Sequence, residues 1–280
     1  MKWRLSGFAD VIYSSTPDST SSGHFRLGQV ELDLTCHIHE RVRSDLAIAY
    51  DDGAFGLSTM TIGFIITDRT EIYVGQFDVP FGIDLNFYAS PDRKLVSPPL
   101  AVEKTHNLWN DIGLQFCTGW RDFGFVLFAV NSLAQAEVSV VPGGRLFYSP
   151  LDLIEFGASI GIGLTDDSEA ESILFGGDFQ LSYKNLYLKG EYVEHTYQRT
   201  TNSRMTAGFY LQATVDVDLF FFCARYGGLD SDLPNLDELD RVTFGAGYKI
   251  IDKVELRGEY QFYISDWEED LALLQTVARF

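Results

Sequence analysis

The sequence predicts an all-β chain folded as a transmembrane antiparallel up-and-down barrel of about sixteen strands. Three observations lead there: apolar residues recur at every second position from end to end, the segments that do so are long, and polar connections between them alternate short and long. A soluble sandwich alternates too, but its strands are shorter and its apolar face meets a second sheet. Segments of roughly 9 to 11 residues suit a tilted crossing of a bilayer, where only a closed barrel satisfies every backbone group.

Composition allows this and excludes much else. The 280 residues are 46% hydrophobic and 14% aromatic, material for one folded unit over residues 1–280 and unlike a disordered chain. A net charge of −19 argues against nucleic acid as a partner. The best uncharged stretch, Phe123 to Ala136, contains Asn131 and Ser132 and is shorter than the roughly 18 to 20 apolar residues a membrane helix needs. Cys36, Cys117 and Cys223 are odd in number and far apart, so neither a disulfide framework nor a zinc motif is expected. Met1-Lys2-Trp3 leads straight into patterned sequence, as in a mature chain whose signal segment has been removed.

The first strand sets Trp3, Leu5, Ala9, Val11 and Tyr13 against Arg4, Ser6 and Asp10. Val30, Leu32 and Leu34 then oppose Gln29, Glu31 and Asp33, and Ile154, Phe156, Ala158, Ile160 and Ile162 oppose Glu155 and Ser159. Near the C-terminus Met205, Ala207, Phe209 and Leu211 oppose Arg204, Thr206 and Gln212. Val242, Phe244, Ala246 and Tyr248 oppose Arg241, Thr243 and Lys249, while Val254, Leu256, Tyr260 and Phe262 oppose Glu255, Arg257, Glu259 and Gln261. Charge keeps to one phase, so the other faces hydrocarbon. Trp3, Tyr13, Tyr50, Tyr148, Tyr183, Tyr192, Tyr226, Tyr248 and Tyr260 near strand ends suit two interfacial girdles.

Thr67 to Thr70, Ser149 to Asp152, Lys184-Asn185, Val215 to Asp218 and Ile251-Asp252 read as short turns on one side. Ser14 to Ser22, Gly82 to Thr105, Leu164 to Glu171, Thr196 to Ser203, Gly228 to Asp240 and Ser265 to Asp270 read as long external loops. The hairpin at Asp51-Asp52-Gly53 and the strand from Gly143 to Tyr148 are the least marked elements. In the last strand Ala272, Leu274, Thr276, Ala278 and the terminal Phe280 share a phase, which resembles the C-terminal signature of outer-membrane barrels.

Strand five exits through Gly75-Gln76-Phe77-Asp78-Val79-Pro80-Phe81-Gly82, which resembles a fingerprint of the phosphate-selective porin family and related porin-like proteins. Pro80 removes a ladder donor and Gly82 permits a sharp bend, a combination that also serves as any strand terminator. The chain is acidic and short for that family, so phosphate selectivity is not carried over. The resemblance implies a sixteen-stranded porin in the bacterial outer membrane, in contact with lipid and lipopolysaccharide, passing small hydrophilic solutes or ions by diffusion. By the same resemblance, three copies would associate as a homotrimer.

Ile83 to Thr105 is the longest connection and carries Leu85, Phe87, Tyr88, Leu95, Val96, Leu100 and Val102 among Pro91, Pro98 and Pro99. So apolar a loop should pack against something. Sixteen-stranded porins fold their third loop inward, and the resemblance implies a constriction offering Asp84, Tyr88, Asp92, Arg93 and Lys94; a lid over the rim or a subunit contact are the alternatives. Pore-lining candidates on the polar phase are Lys189, Arg204, Arg225, Arg241, Lys249 and Arg257 on late strands, against Glu31, Asp33, Asp78 and Asp111 on early ones. A basic wall facing acids is the arrangement of general porins, and ordinary salt-bridged lumen is the plainer account.

His37 and His39 share a face without a third ligand, so no metal is expected, and no cofactor. His24, His106 and His195 have no nucleophile pattern around them, so no enzyme is expected. The acids Asp166, Asp167, Glu169, Glu171, Asp230, Asp232, Asp237, Glu238, Asp240, Asp266, Glu268, Glu269 and Asp270 crowd the external loops and suggest a mild cation preference. About sixteen strands enclose a lumen too wide for side chains alone to fill, which favours a passive pore. A substrate-specific channel, an anion-selective one included, and a plugged structural or adhesin barrel are the competing readings.

Overall fold

A computed structural model describes residues 2–17, 23–51, 53–107, 109–133, 136–164, 170–199, 203–232, 238–264 and 269–280. Among them are sixteen strands, the first eight being β1 (Lys2–Ser15), β2 (His24–His39), β3 (Val42–Asp51), β4 (Ala54–Thr67), β5 (Thr70–Asp78), β6 (Asn110–Trp120), β7 (Phe123–Leu133) and β8 (Ala136–Leu151). The rest are β9 (Ile154–Leu164), β10 (Ala170–Tyr183), β11 (Leu186–Arg199), β12 (Ser203–Val217), β13 (Phe220–Ser231), β14 (Leu239–Ile251), β15 (Val254–Tyr263) and β16 (Leu271–Arg279). Each pairs antiparallel with its sequence neighbours, and β1 pairs with β16 to close the barrel. Closure leaves no sheet edge, the condition a strand protein must meet inside hydrocarbon.

The alternation read from the sequence becomes the two surfaces of the wall. Phe209, Leu211, Phe244 and Leu256 are 42%, 52%, 58% and 44% exposed. Their neighbours of opposite phase, among them Gln212, Thr243, Arg257 and Gln261, are buried. An apolar outside around a polar inside is the inverse of a water-soluble barrel. The inner phase also holds apolar residues that the alternation did not predict, including Phe8 and Ile12 on β1 and Leu273 and Val277 on β16. The long connection explains two of them: Ile12 and Leu273 pack against its Val96.

Both chain ends lie on the short-turn side, where Gly7 N donates to the Phe280 carbonyl at 3.2 Å and Phe280 N to that of Gly7 at 2.9 Å. Two short turns beyond the expected five join His39 to Val42 and Trp120 to Phe123. The strand expected at Gly143 to Tyr148 extends over Ala136–Leu151, with Pro142 opposite Ala129. Loop acids Asp166, Asp167, Glu169, Asp237, Asp266 and Glu268, and the side chain of Glu171, lie outside the described residues.

Candidate functional site

The connection between β5 and β6 begins at a seam. Gly75 has φ +135°, and a Cβ there would stand 2.0 Å from the Met60 carbonyl, so glycine lets β5 run close against β4 where their pairing ends at Met60–Gln76. Asn110 bridges the opening, Nδ2 donating to the Ser58 carbonyl at 2.6 Å and to Asp78 Oδ1 at 2.7 Å. Asp78 is thus held in the seam, and Asp111 accepts from Ser132 N at 2.5 Å and Oγ at 2.8 Å. These two of the four acids expected in the pore are bound to neighbouring residues.

On both sides of Asp78 the chain turns apolar groups inward, and Phe77, Val79, Phe81 and Trp109 form one cluster with Phe128, Val130, Leu133, Val141, Leu174 and Val193 of the inner phase. At Gly82, φ +67°, a Cβ would meet Glu191 Oε1 at 1.9 Å, so only glycine turns this closely against β11. Its N–H donates to Ser159 Oγ at 3.0 Å. A short 3-10 turn, Asp84–Phe87, follows, and Asp84 Oδ1 accepts from Lys189 Nζ at 2.6 Å. Burial pushes the Asp84 carboxyl up, yet Lys189, Tyr210 and Arg225 together hold it below the usual carboxylate range.

The middle of the connection is gripped by late-strand side chains. Arg257 Nη1 donates to the Ser90 carbonyl at 2.5 Å, Arg225 Nη2 to Ser97 Oγ at 2.8 Å and the Pro98 carbonyl at 3.0 Å, and Arg241 Nη2 to that same carbonyl at 2.6 Å. From β2, Gln29 Oε1 accepts from Ser90 N at 3.0 Å and Arg93 Nη2 at 3.4 Å. Arg225, Arg241 and Arg257 thus stand side by side on β13, β14 and β15, their three guanidinium groups buried against loop carbonyls. Arg204, exposed near the start of β12, stands apart from them, and Lys249 is half-buried toward the turn end of β14. Glu31 and Asp33 lie half-buried on β2; Tyr88 and Asp92 lie on the connection, Asp92 exposed. Lys94 stands 4.4 Å over the Phe221 ring, and burial lowers its pKa while Glu255 and Asp216 oppose the shift.

A helix, α1 (Leu100–Thr105), closes the connection and packs Leu100 against Leu229 and Leu239. Thr105 Oγ donates its proton to the Ala101 carbonyl at 2.7 Å, so at 3.0 Å it accepts from His106 Nδ1–H. That leaves Nε2 bare in the neutral ring, facing Glu191 Oε1 at 4.0 Å. Burial lowers the His106 pKa to about 4, against the opposing charge of Asp84.

No family model and no curated protein matches the sequence. Solved structures do match in fold. The loop L8 deletion mutant of OmpT, an outer membrane protein of Vibrio cholerae, gives a TM-score of 0.75 at 10% identity over 100% of this chain and 99% of that chain. Salmonella typhi OmpF, in a complex with daunomycin, gives 0.76 at 14% identity over 99% and 97%. A triple mutant of Rh. blastica porin gives 0.65 at 15% identity over 100% of both chains. The fold is that of the sixteen-stranded porins.

Within this porin fold, several inward groups escaped the sequence reading. Arg145 is bonded to both oxygens of Asp178 and lies 3.5 Å from Glu155. Arg43 is bonded to Tyr73 and lies 3.3 Å from Asp45 and 3.8 Å from Glu71. Their pairing follows from the register between strands, which alternation within one strand does not fix. Two cavities of about 360 and 350 Å³ flank the connection, one toward β10–β13 and one toward β1–β4.

Proposed function

We propose that this chain is an outer-membrane porin, a water-filled channel through which small hydrophilic solutes or ions diffuse, with the 83–105 connection as its constriction. The observation that carries the proposal is the set of contacts between that connection, with Gly82 at its entry, and inward side chains: Gln29, Ser159, Lys189, Arg225, Arg241, Arg257 and Glu259 reach its backbone or polar groups from six strands. A lid outside the rim would not meet inward groups all around the wall. The apolar outer face supports a bilayer setting, and the cavities flanking the connection support a passage narrowed rather than filled.

Asp84, Asp92, Arg93 and Lys94 line the cavity toward β10–β13, and Tyr88 and Asp92 the one toward β1–β4, where Glu31 and Asp78 also contribute. In this reading they set the polarity of the narrowed passage, while the arginines of β13 to β15 hold the connection and act on ions through their field. OmpT of Vibrio cholerae has been described in a trimer form, and a homotrimer is part of the proposal for this chain. Refolded protein in liposomes should admit small sugars at rates that fall with solute size, read as swelling. A folded barrel that admits none would instead be a plugged, structural element.

A further inference from the structure

We propose that the cavity on the turn side of the connection binds a zwitterionic, amino-acid-like solute with an apolar side group, Lys94 receiving its carboxylate and Asp216 its ammonium. This deepens the channel reading and rests on it. The cavity holds about 360 Å³, within the range of small-molecule sites, and Lys94 and Asp216 both line it.

Its other charges are mostly occupied: Lys189 is bonded to Asp84, and Arg225 to Ser97 and Pro98. Glu255, which also acts on Lys94, accepts from Arg257 at 2.6 Å. Arg93, bonded to Gln29, and the exposed Asp92 line it as well; Lys94 and Asp216 are the ammonium and carboxylate that face it without an ion pair among the described residues. Among the described residues Lys94 forms no ion pair, and its ammonium rests over the Phe221 ring. Asp216 spends its backbone on Asn185, N–H to carbonyl at 2.9 Å and carbonyl to Nδ2 at 3.0 Å, while its side-chain Oδ1 is buried without a hydrogen bond. A buried carboxylate oxygen without a donor is costly, so the site calls for one.

The two groups face one cavity yet form no ion pair with each other. An anion alone would leave Asp216 unsatisfied and add repulsion, and a cation alone would do the same at Lys94, where Lys249 and Arg257 add positive potential. A solute bearing both charges satisfies both groups. Phe87, Leu95 and Pro99 supply an apolar wall for its side group.

Equilibrium dialysis of the refolded protein against labelled leucine, N-acetyl-leucine, leucinamide and glycine tests this. Leucine should bind saturably and the other three about tenfold more weakly or less, about 1.4 kcal/mol. Lys94→Gln and Asp216→Asn should each abolish leucine binding, and Asp216→Asn should leave the open conductance in planar bilayers in place. Equal binding of N-acetyl-leucine, or unchanged leucine binding in either variant, would overturn the assignment. Open channels that bind no leucine sink this inference alone; a folded barrel without conductance sinks the channel reading beneath it.

Discussion

Glu259 Oε2 accepts the backbone N–H of Val96 at 2.5 Å and that of Ser97 at 3.1 Å, while Ser97 Oγ donates to Oε1 at 2.5 Å. A carboxylate on β15 thus caps two amide donors of the connection. Glu259→Ala would leave both donors unpaired in a buried setting, at about 1 to 3 kcal/mol each. The connection should loosen, raising open-channel current noise and mean conductance in planar bilayers. Unchanged noise would mean that other contacts hold the segment alone.

Arg225 and Arg241 converge on one acceptor, the Pro98 carbonyl. Each single alanine substitution leaves the other donor in place, so the double variant should loosen the connection by more than the sum of the two. Removing these charges should also shift the reversal potential under a salt gradient toward cation preference. Additive noise with an unmoved reversal potential would count against both roles.

How much of this was legible beforehand differs between wall and site. In β14 up to Lys249 and in β15 polar and apolar residues alternate clearly, so the faces of these strands follow directly, whereas in β16 the inward Leu273 and Val277 blur the pattern. In β8, Pro142, Gly143 and Gly144 interrupt it, and half the strand is hidden in the pattern. The seats of the connection were hidden more deeply. Glu259 is 163 residues from Val96, and nothing local to either marks the other. The arginines were recognisable as inward residues, but their binding of loop carbonyls depends on the path of Ser90 to Pro98 across the wall.

The buried His106 supplies a pH dependence. With a pKa held to about 4 in the folded chain, against 6.5 ordinarily, it stays neutral where a released connection would take up a proton. Attachment is therefore fully favoured above about pH 6.5 and weakens as pH falls toward 4, by at most about 3 kcal/mol. Current noise in the wild type should rise between pH 6.5 and 4, and His106→Gln should flatten that rise. An identical rise in both would place the titration elsewhere.

On the outer surface Leu211, near the middle of β12, is 52% exposed. Leu211→Arg should cost about 2 to 4 kcal/mol if it meets the bilayer midplane, and Leu211→Phe should cost little. Reversible urea unfolding from lipid vesicles measures both. Equal stability of the two variants would mean that this face does not meet hydrocarbon.

Single-channel recording of the refolded wild-type barrel, beside a variant in which residues 84–104 are replaced by a short glycine-serine link, tests the account most directly. The account predicts discrete, ohmic steps for the wild type and larger steps for the variant. A wild-type barrel that is folded yet silent, or a variant with steps of the same size, would contradict it.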